Sequence, residues 1–528
     1  MPPHPTPTPT PTIAGVHIDT RHWINGRRSE SASGETFPDL SPIDNTELAQ
    51  ISRGGKPEAH AAVAAAKAAF PAWAATPPPA RARILHAIAD GVEKRLEELA
   101  QVETADNGAL VRSHRRGVMP RVAHNFRFFA DWLTNNLSHP DFDTKTHTEV
   151  HSNTRRNHVS WDPAGPCVLI TPWNAPLMME SWKVAPALAA GNTVVLKPAE
   201  WSPLTASLLA DIAAEAGLPA GVLNVVQGYG AEAGQALVEH PDVRRISFTG
   251  SVPTAQHIAT AAAANLTPTS LELGGKSPLL VLDDADLDLA VELAVEQYDN
   301  AGQVCLAGTR LLVHESIEAE FTQRFIGRAS NLTQGDPRDT ATDIGPNIHA
   351  RQLEKIDGFV QRAVAAGATA VIGGGPNTDL NERLGGLYYR PTLLTGLGQD
   401  AEAVQEEIFG PVLTLQTFSS DDEAIALANG TRFGLAATVV SGDRAHADRI
   451  AARLVAGTVW VNCFYVRDLR APFGGSRRSG VGREGGTWSF DFYCDLKNTV
   501  TAQQTFTAQQ TFTTQQTSTT QESGSDHG

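Results

Sequence analysis

The sequence predicts a parallel α/β architecture, and three features carry that prediction. From residue 166 onward, short apolar runs such as CVLIT, NTVVLK, VLNVV and RRISF end in turns and lead into helical patterns. Strands alternating with helices at this spacing form crossover units that stack into a parallel sheet. A second series begins near residue 277 with SPLLVL and runs through TRLLVHES, ATAVIGGG, PVLTLQTF, LAATVVSG and TVWVNCF, so a second sheet in a second domain is expected. The length of 528 residues agrees, because single hydrophobic cores stop growing well short of it.

Taken in order, the chain opens with MPPHPTPTPTPT. Alternating proline and threonine predict an extended, solvated tail over residues 1–17, without the basic and apolar regions of a signal peptide. Residues 22–51 read as short strands and turns, with an Asn-Gly signal at 25–26. An alanine-rich helix is expected over 57–75. A second, over 80–105, carries Ile84, Leu85, Ile88, Val92, Leu96 and Leu99 at helical spacing, and a third covers 120–137. Residues 146–165 are polar and alternating, as are those from 492 to about 502, which predicts exposed strands that could pair across subunits. The six-residue repeat after residue 500, TAQQTF and its variants, has too little hydrophobicity to fold alone and predicts a disordered tail over 503–528.

Composition narrows the function classes. Lys and Arg number 42 against 58 Asp and Glu, a net charge of −16, which argues against nucleic acid or an anionic membrane as a partner. An anionic substrate would therefore need dedicated local arginines. Four cysteines with no CxxC spacing predict neither a disulfide framework nor a metal site, and fit a reducing, cytoplasmic setting. No run of 18 apolar residues suggests a membrane span.

The chemistry centres on NAGQVCLAGT at 300–309. A lone cysteine is ordinarily a small buried hydrophobe, but small neighbours on both sides of Cys305 would let a carbonyl approach its sulfur. Polar and glycine residues also fall where predicted strands end, at Asn174, Lys197, Glu200, Gly228, Gly230, Gly250 and Ser251. Ligands bind at such ends in parallel sheets.

Seven blocks now stand in order: TPWNAP (171–176), LKPAEWSP (196–203), FTGS (248–251), LELGGKSP (271–278), GQVC (302–305), EEIFGPV (406–412) and PFGGSRRSGVGREGG (472–486). In order and spacing, over about residues 20–500, they resemble the aldehyde dehydrogenase superfamily. The resemblance implies an aldehyde dehydrogenase-like α/β fold: a Rossmann-type NAD-binding domain (18–143 and 164–273), an α/β catalytic domain (274–485) and a small β oligomerisation flap (144–163 and 486–502) that builds a homodimer or homotetramer. It also implies the roles. Cys305 matches the nucleophile, Glu272 the general base and Asn174 an oxyanion donor, with Lys183 and Glu484 near the base. For NAD, the matching positions are Thr171, Pro172, Trp173, Lys197, Glu200, Gly230, Gly250, Ser251, Leu273, Glu407 and Phe409. A carboxylate at Glu200 would bind ribose hydroxyls and repel a 2′-phosphate, favouring NAD over NADP. Two departures stand out: Ala255 where the family has a glycine, and Arg478 where it has lysine.

Around the expected substrate tunnel, PRVAHNFRFFAD, WKVAPALA and VRDLR resemble the hydroxymuconic semialdehyde dehydrogenases within that family. This implies a small aldehyde bearing carboxylates. 5-Carboxymethyl-2-hydroxymuconate semialdehyde is the first expectation and 2-hydroxymuconate semialdehyde the second, with Arg121 and Arg467 gripping carboxylate through bidentate, charged hydrogen bonds. A CoA-acylating relative would not need Glu272, and a non-catalytic binding protein would need none of Cys305, Glu272 and Asn174.

Overall fold

The computed structural model of the chain describes residues 10–136, 141–148 and 151–502. It divides into two compact units, one of residues up to 137 together with 162–495, the other of 138–161 together with residues from 496 on.

The larger unit contains both predicted sheets. The first has eight strands in the order Gly480–Val481, Thr269–Leu273, Arg245–Gly250, Pro166–Ile170, Thr193–Lys197, Leu223–Val225, His22–Ile24 and Arg27–Ser29. Five strands, Thr269–Leu273 to Leu223–Val225, are parallel, and Gly480–Val481 on one side and His22–Ile24 on the other join them antiparallel. Pro166–Ile170 and Thr193–Lys197 are buried throughout, as strands covered by helices on both faces must be. On one face, Ala59, Ala62, Val63 and Ala66 of helix Lys56–Ala74 and Ile258 of helix Val252–Ala263 share a core with Val168, Val195 and Ile246. The chain leaves Pro166–Ile170 in one direction and returns to its other side at Arg245–Gly250. That reversal opens a crevice at the strands' carboxyl ends.

The second sheet has seven strands, ordered Thr369–Ile372, Thr392–Thr395, Val412–Phe418, Arg310–His314, Pro278–Val281, Ala436–Val440 and Thr458–Val461, all parallel except the first. Separate apolar cores cover its two faces, one around Leu279, Leu311 and Phe321, the other around Leu280, Leu312 and Ile425. The smaller unit is a three-stranded sheet in the order Cys494–Ala502, His151–Pro163, Asp141–Thr148, in which the last two pair antiparallel from Asp141 opposite His158 to Thr148 opposite His151.

Three sequence expectations need correction. The single helix over 80–105 is two, Pro78–Lys94 and Leu96–Asn107, interrupted at Arg95; Gly91, which packs closely on Ile212, leaves the last turn of the first helix weak. The strand near the C-terminus lies beside His151–Pro163 of its own chain, where the sequence allowed for pairing across subunits. Residues 10–17 are not an extended tail: Thr12–Ile13 pairs antiparallel with Val16–His17 around a turn in which Ala14 and Gly15 have φ of 50° and 83°, and Ile13 is buried. The expectations for residues 1–9 and 503–528 lie outside the described residues. No helix among the described residues is long and apolar enough to cross a membrane.

Candidate active site

Cys305 is placed by a strained approach. Helix Leu287–Val295, capped by the Asp286 carboxylate, which accepts from the Asp288 and Leu289 N–H groups, runs into a tighter turn. There Asn300, Ala301 and Gly302 take consecutive left-handed conformations, with φ of 49°, 54° and 69°. Non-glycine residues adopt these only when their surroundings hold them. At Gly302 a side chain is also sterically impossible, because a Cβ would lie 2.1 Å from the Gly410 carbonyl oxygen. The loop is pinned by side chains: Asn174 Nδ2 donates to the Gln303 carbonyl at 2.8 Å, and Asn300 Nδ2 donates to the Asn174 carbonyl at 3.0 Å. Asn174 is thereby aimed at the chain two residues before the thiol. Glycine is equally required at Gly275, where a Cβ would lie 2.8 Å from the Cys305 carbonyl oxygen. The LELGG and GQVC blocks therefore touch.

Glu272 is the penultimate residue of the strand Thr269–Leu273, is buried, and has neither carboxylate oxygen hydrogen-bonded. Burial, reinforced by the nearby Glu484 carboxylate, holds it well above the usual carboxyl range, while Lys183, Arg467 and Arg483 pull the other way. Glu484 is itself held: Lys183 Nζ donates to it at 2.9 Å and to Ser247 Oγ at 2.8 Å, and Trp182 Nε1 donates to its second oxygen. The Cys305 thiol is pushed up to about 12, by burial first and then by the Glu407 and Glu272 carboxylates; its own backbone N–H and Arg467 act in opposition.

Cys305, Glu272, Asn174, Arg121 and Arg467 line one cavity of about 600 Å³, with Pro172 and Leu273. Arg467 lies between two rings, its guanidinium carbon 3.7 Å from the Trp182 centroid and 3.8 Å from that of Phe473. Its Nε and Nη2 are buried without a partner, and burial lowers its pKa to about 10. The positive charge of Arg121 adds to that lowering, so the two guanidinium groups lie close enough to repel each other.

The predicted cofactor residues follow the carboxyl ends of the first sheet, except Glu407 and Phe409, which precede Val412–Phe418 of the second. Lys197 is buried, donates to the Pro198 carbonyl at 2.9 Å and lies 3.5 Å from the half-exposed Glu200 carboxylate. Thr171 N–H donates to the Lys197 carbonyl. Gly230 opens a wide helical turn, Gly230–Gly234, and is exposed. Gly250 ends its strand, and Ser251 caps helix Val252–Ala263 by accepting from the Thr254 N–H. The Ala255 methyl is buried in the apolar core with Ile170 and Phe248, so the sheet accommodates the departure from glycine. Arg478 is exposed, and nothing in the structure explains its replacing lysine. Glu407 accepts from the Gly275 N–H at 3.1 Å, and Phe409, at φ 61°, meets the Trp173 ring edge-to-face at 5.2 Å.

Several residues of this region were not legible in the sequence. Gln352 donates to the Ile408 and Phe409 carbonyls, at 3.2 and 2.8 Å, and Lys355 lies near enough to Glu407 to counter the upward push of burial on its carboxyl. His349 caps their helix, Ala350–Ala365, and stacks on Trp201 at 4.2 Å. On an amphipathic helix, a glutamine and a lysine have no mark that separates them from a solvated face.

The aldehyde dehydrogenase family profile matches residues 29–499, nearly the whole folded chain. The chain belongs to the aldehyde dehydrogenase family. Among individual relatives, the 2-hydroxymuconic semialdehyde dehydrogenase of Pseudomonas sp. (strain CF600) is 44% identical over 91% of this chain and 99% of its own. The 5-carboxymethyl-2-hydroxymuconate semialdehyde dehydrogenase of Escherichia coli is 42% identical over 89% and 98%. The crystal structure of betaine aldehyde dehydrogenase from Staphylococcus aureus in complex with NAD+ superposes with a TM-score of 0.88 at 36% identity, covering 94% of this chain and 98% of that one. As an aldehyde dehydrogenase, the protein is an oxidoreductase acting on aldehydes, and the family uses NAD(P).

Proposed function

We propose that this aldehyde dehydrogenase oxidises a carboxylate-bearing, muconate-type semialdehyde with NAD, and that its first substrate is 5-carboxymethyl-2-hydroxymuconate semialdehyde, in the meta-cleavage of homoprotocatechuate. The observation that carries this reading is a pair of arginines, Arg121 and Arg467, that face the cavity of Cys305 and make no salt bridge among the described residues, with only the more distant Glu484 and Glu272 carboxylates acting on Arg467. Two like charges in one partly buried cavity are unfavourable alone and favourable around an anion.

In the chemistry this supports, Glu272 takes the proton of the Cys305 thiol and later passes it to solvent, and Sγ attacks the aldehyde carbon to form a thiohemiacetal. The Asn174 amide and the Cys305 N–H donate to the oxygen as it gains charge, and losing one such donor typically costs about 100- to 1000-fold. A bound nicotinamide would accept the hydride that leaves this carbon. Glu272 then takes a proton from the water that hydrolyses the resulting thioester. Lys183 and Glu484 bias the charge on Glu272.

The residues present fit a dinucleotide. Glu200 offers a carboxylate at a strand end, Ser251 a helix N-terminus for phosphate, and Glu407 a carboxylate with one oxygen bonded to Gly275 and the other available for ribose. Glu200 favours NAD over NADP by repulsion of a 2′-phosphate. A second reading, 2-hydroxymuconate semialdehyde as the preferred substrate, is favoured by the 44% identity to the Pseudomonas enzyme.

The test is NADH formation by purified protein with both semialdehydes and with neutral benzaldehyde, using NAD or NADP, with and without CoA. Arg121→Ala or Arg467→Ala should lower kcat/KM for the charged aldehydes by roughly 30- to 1000-fold, because a partly buried charged hydrogen bond is lost, while benzaldehyde changes far less. Equal losses on charged and neutral aldehydes would make the arginines structural. Preference for NADP would overturn the cofactor assignment, and dependence on CoA the hydrolytic one.

A further inference from the structure

Residues 112–127 carry five arginines, and their partners divide them into two groups. Arg112 donates to Asp343 at 2.8 Å, Arg115 pairs with Glu97, and Arg127 pairs with Asp90 and Glu93. Arg116 and Arg121 have neither a carboxylate nor a hydrogen-bond partner among the described residues, and both line the cavity above Cys305. In a chain with 58 acidic residues against 42 basic ones, carboxylates are plentiful, and this segment's other arginines have found them.

The backbone accounts for the division. His114–Val118 forms a π-turn between Val111–Ser113 and helix Met119–Asn135. Such turns are single-turn bulges in helices and recur at functional sites. Arg115 and Arg116 are adjacent in it, so their side chains leave in different directions. Arg115 reaches Glu97 on helix Leu96–Asn107, whereas Arg116 borders the cavity. The three unpaired guanidinium groups also differ in depth. Arg467 is buried against Trp182 and Phe473 and acts electrostatically on both Glu272 and Cys305. Arg121 is half-buried, and Arg116 is exposed at the rim.

We propose that Arg116 is a specificity residue: it binds the carboxylate that a semialdehyde carries at the end remote from its aldehyde, and so selects long oxo-acids over short ones. With the aldehyde carbon at Cys305, only an extended chain brings its far carboxylate to the rim. A short oxo-acid places its charge within reach of Arg467 or Arg121 alone. This role rests on the proposed use of carboxylate-bearing aldehydes.

The experiment compares wild type, Arg116→Gln and Arg116→Lys on three aldehydes: the six-carbon oxo-acid adipic semialdehyde, the four-carbon succinic semialdehyde, and neutral hexanal. Arg116→Gln should lower kcat/KM for the six-carbon oxo-acid by about 5- to 30-fold, the range for a charged hydrogen bond weakened by exposure. Succinic semialdehyde and hexanal should change less than about twofold, a change within the scatter of surface substitutions. Arg116→Lys, which keeps the charge and loses the fork, should recover part of the loss. Similar losses on all three aldehydes, or none on the six-carbon acid, would remove Arg116 from recognition. The parent reading is judged on wild type alone. If wild type prefers adipic semialdehyde to hexanal and Arg116→Gln leaves that preference intact, the parent stands and this role falls. If wild type shows no such preference, both fall.

Discussion

At the scale of single residues, the candidate site pairs a nucleophile and a base whose charged forms are both disfavoured. Burial raises the Cys305 thiol to about 12 and holds Glu272 well above the usual carboxyl range, yet each must lose a proton to act. A raised pKa means the active, deprotonated form grows as pH rises, so kcat/KM should climb from neutral into alkaline solution. Glu484→Gln tests which group sets that rise. It removes the second-largest cause of the shift on Glu272 and leaves the Lys183 charge free to act on it. The ascending limb should then move to lower pH, as removing a close like charge from a carboxyl requires. An unmoved pH–rate profile in a folded variant would assign the limb to Cys305. Glu272→Gln separates the two steps: it should release a burst of NADH and then turn over roughly 100- to 10,000-fold more slowly, the usual worth of a general base. Full steady-state turnover would remove Glu272 from the chemistry. Cys305, Glu272 and Asn174 could be read from motif blocks because their neighbours, Gly302 and Gly275, are dictated by close backbone approach. The unpaired state of Arg116 and Arg121 could not, since it depends on where Glu97, Asp343, Asp90 and Glu93 lie in three dimensions.

At the scale of elements, sequence periodicity located helices well and their ends poorly. Apolar spacing runs unbroken from Ile84 to Leu99, so nothing in the pattern marks the interruption at Arg95. The π-turn before helix Met119–Asn135 is equally silent, because its HRRGV sequence reads as any polar helical turn. The start of helix Ala350–Ala365 shows what such an end can carry. His349 accepts the Gln352 N–H at 3.0 Å through Nδ1, and three residues on, Gln352 holds the Ile408 and Phe409 carbonyls. Losing a cap costs about 1 kcal/mol locally, and here it would loosen the residues around Glu407. His349→Ala should therefore raise KM for NAD several-fold with a smaller change in kcat. His349→Asn, which can accept the same N–H, should restore most of the loss, whereas His349→Phe, which keeps only the stack on Trp201, should not. Equal KM values for NAD in all four proteins would confine His349 to the helix end.

At the scale of the whole molecule, the rule that ligands gather at the carboxyl ends of parallel strands serves one half of the chain only. Thr171, Glu200, Gly250 and Glu272 follow or end strands of the first sheet, whereas Cys305 and Glu407 precede Arg310–His314 and Val412–Phe418 of the second. The cavity therefore draws on the exits of one sheet and the entrances of the other, a relation that the alternation of strands and helices does not specify. The N-terminus offers a parallel case. Its composition reads as solvated, yet Ile13 is 5% exposed and residues 14–17 line a surface cleft together with Arg95, Glu97, Glu98 and Gln101 at the start of helix Leu96–Asn107. Burying one aliphatic side chain contributes about 1.5–3 kcal/mol. A chain beginning at residue 18 should accordingly unfold a few degrees below one beginning at residue 10, while kcat stays the same, because no residue of the hairpin lines the cavity of Cys305. Scanning calorimetry of the two truncated proteins decides the matter. Coincident transitions would mean that the hairpin only rests on the helix, and a loss of activity would mean that the Arg95 junction transmits to the π-turn through the Arg115–Glu97 pair.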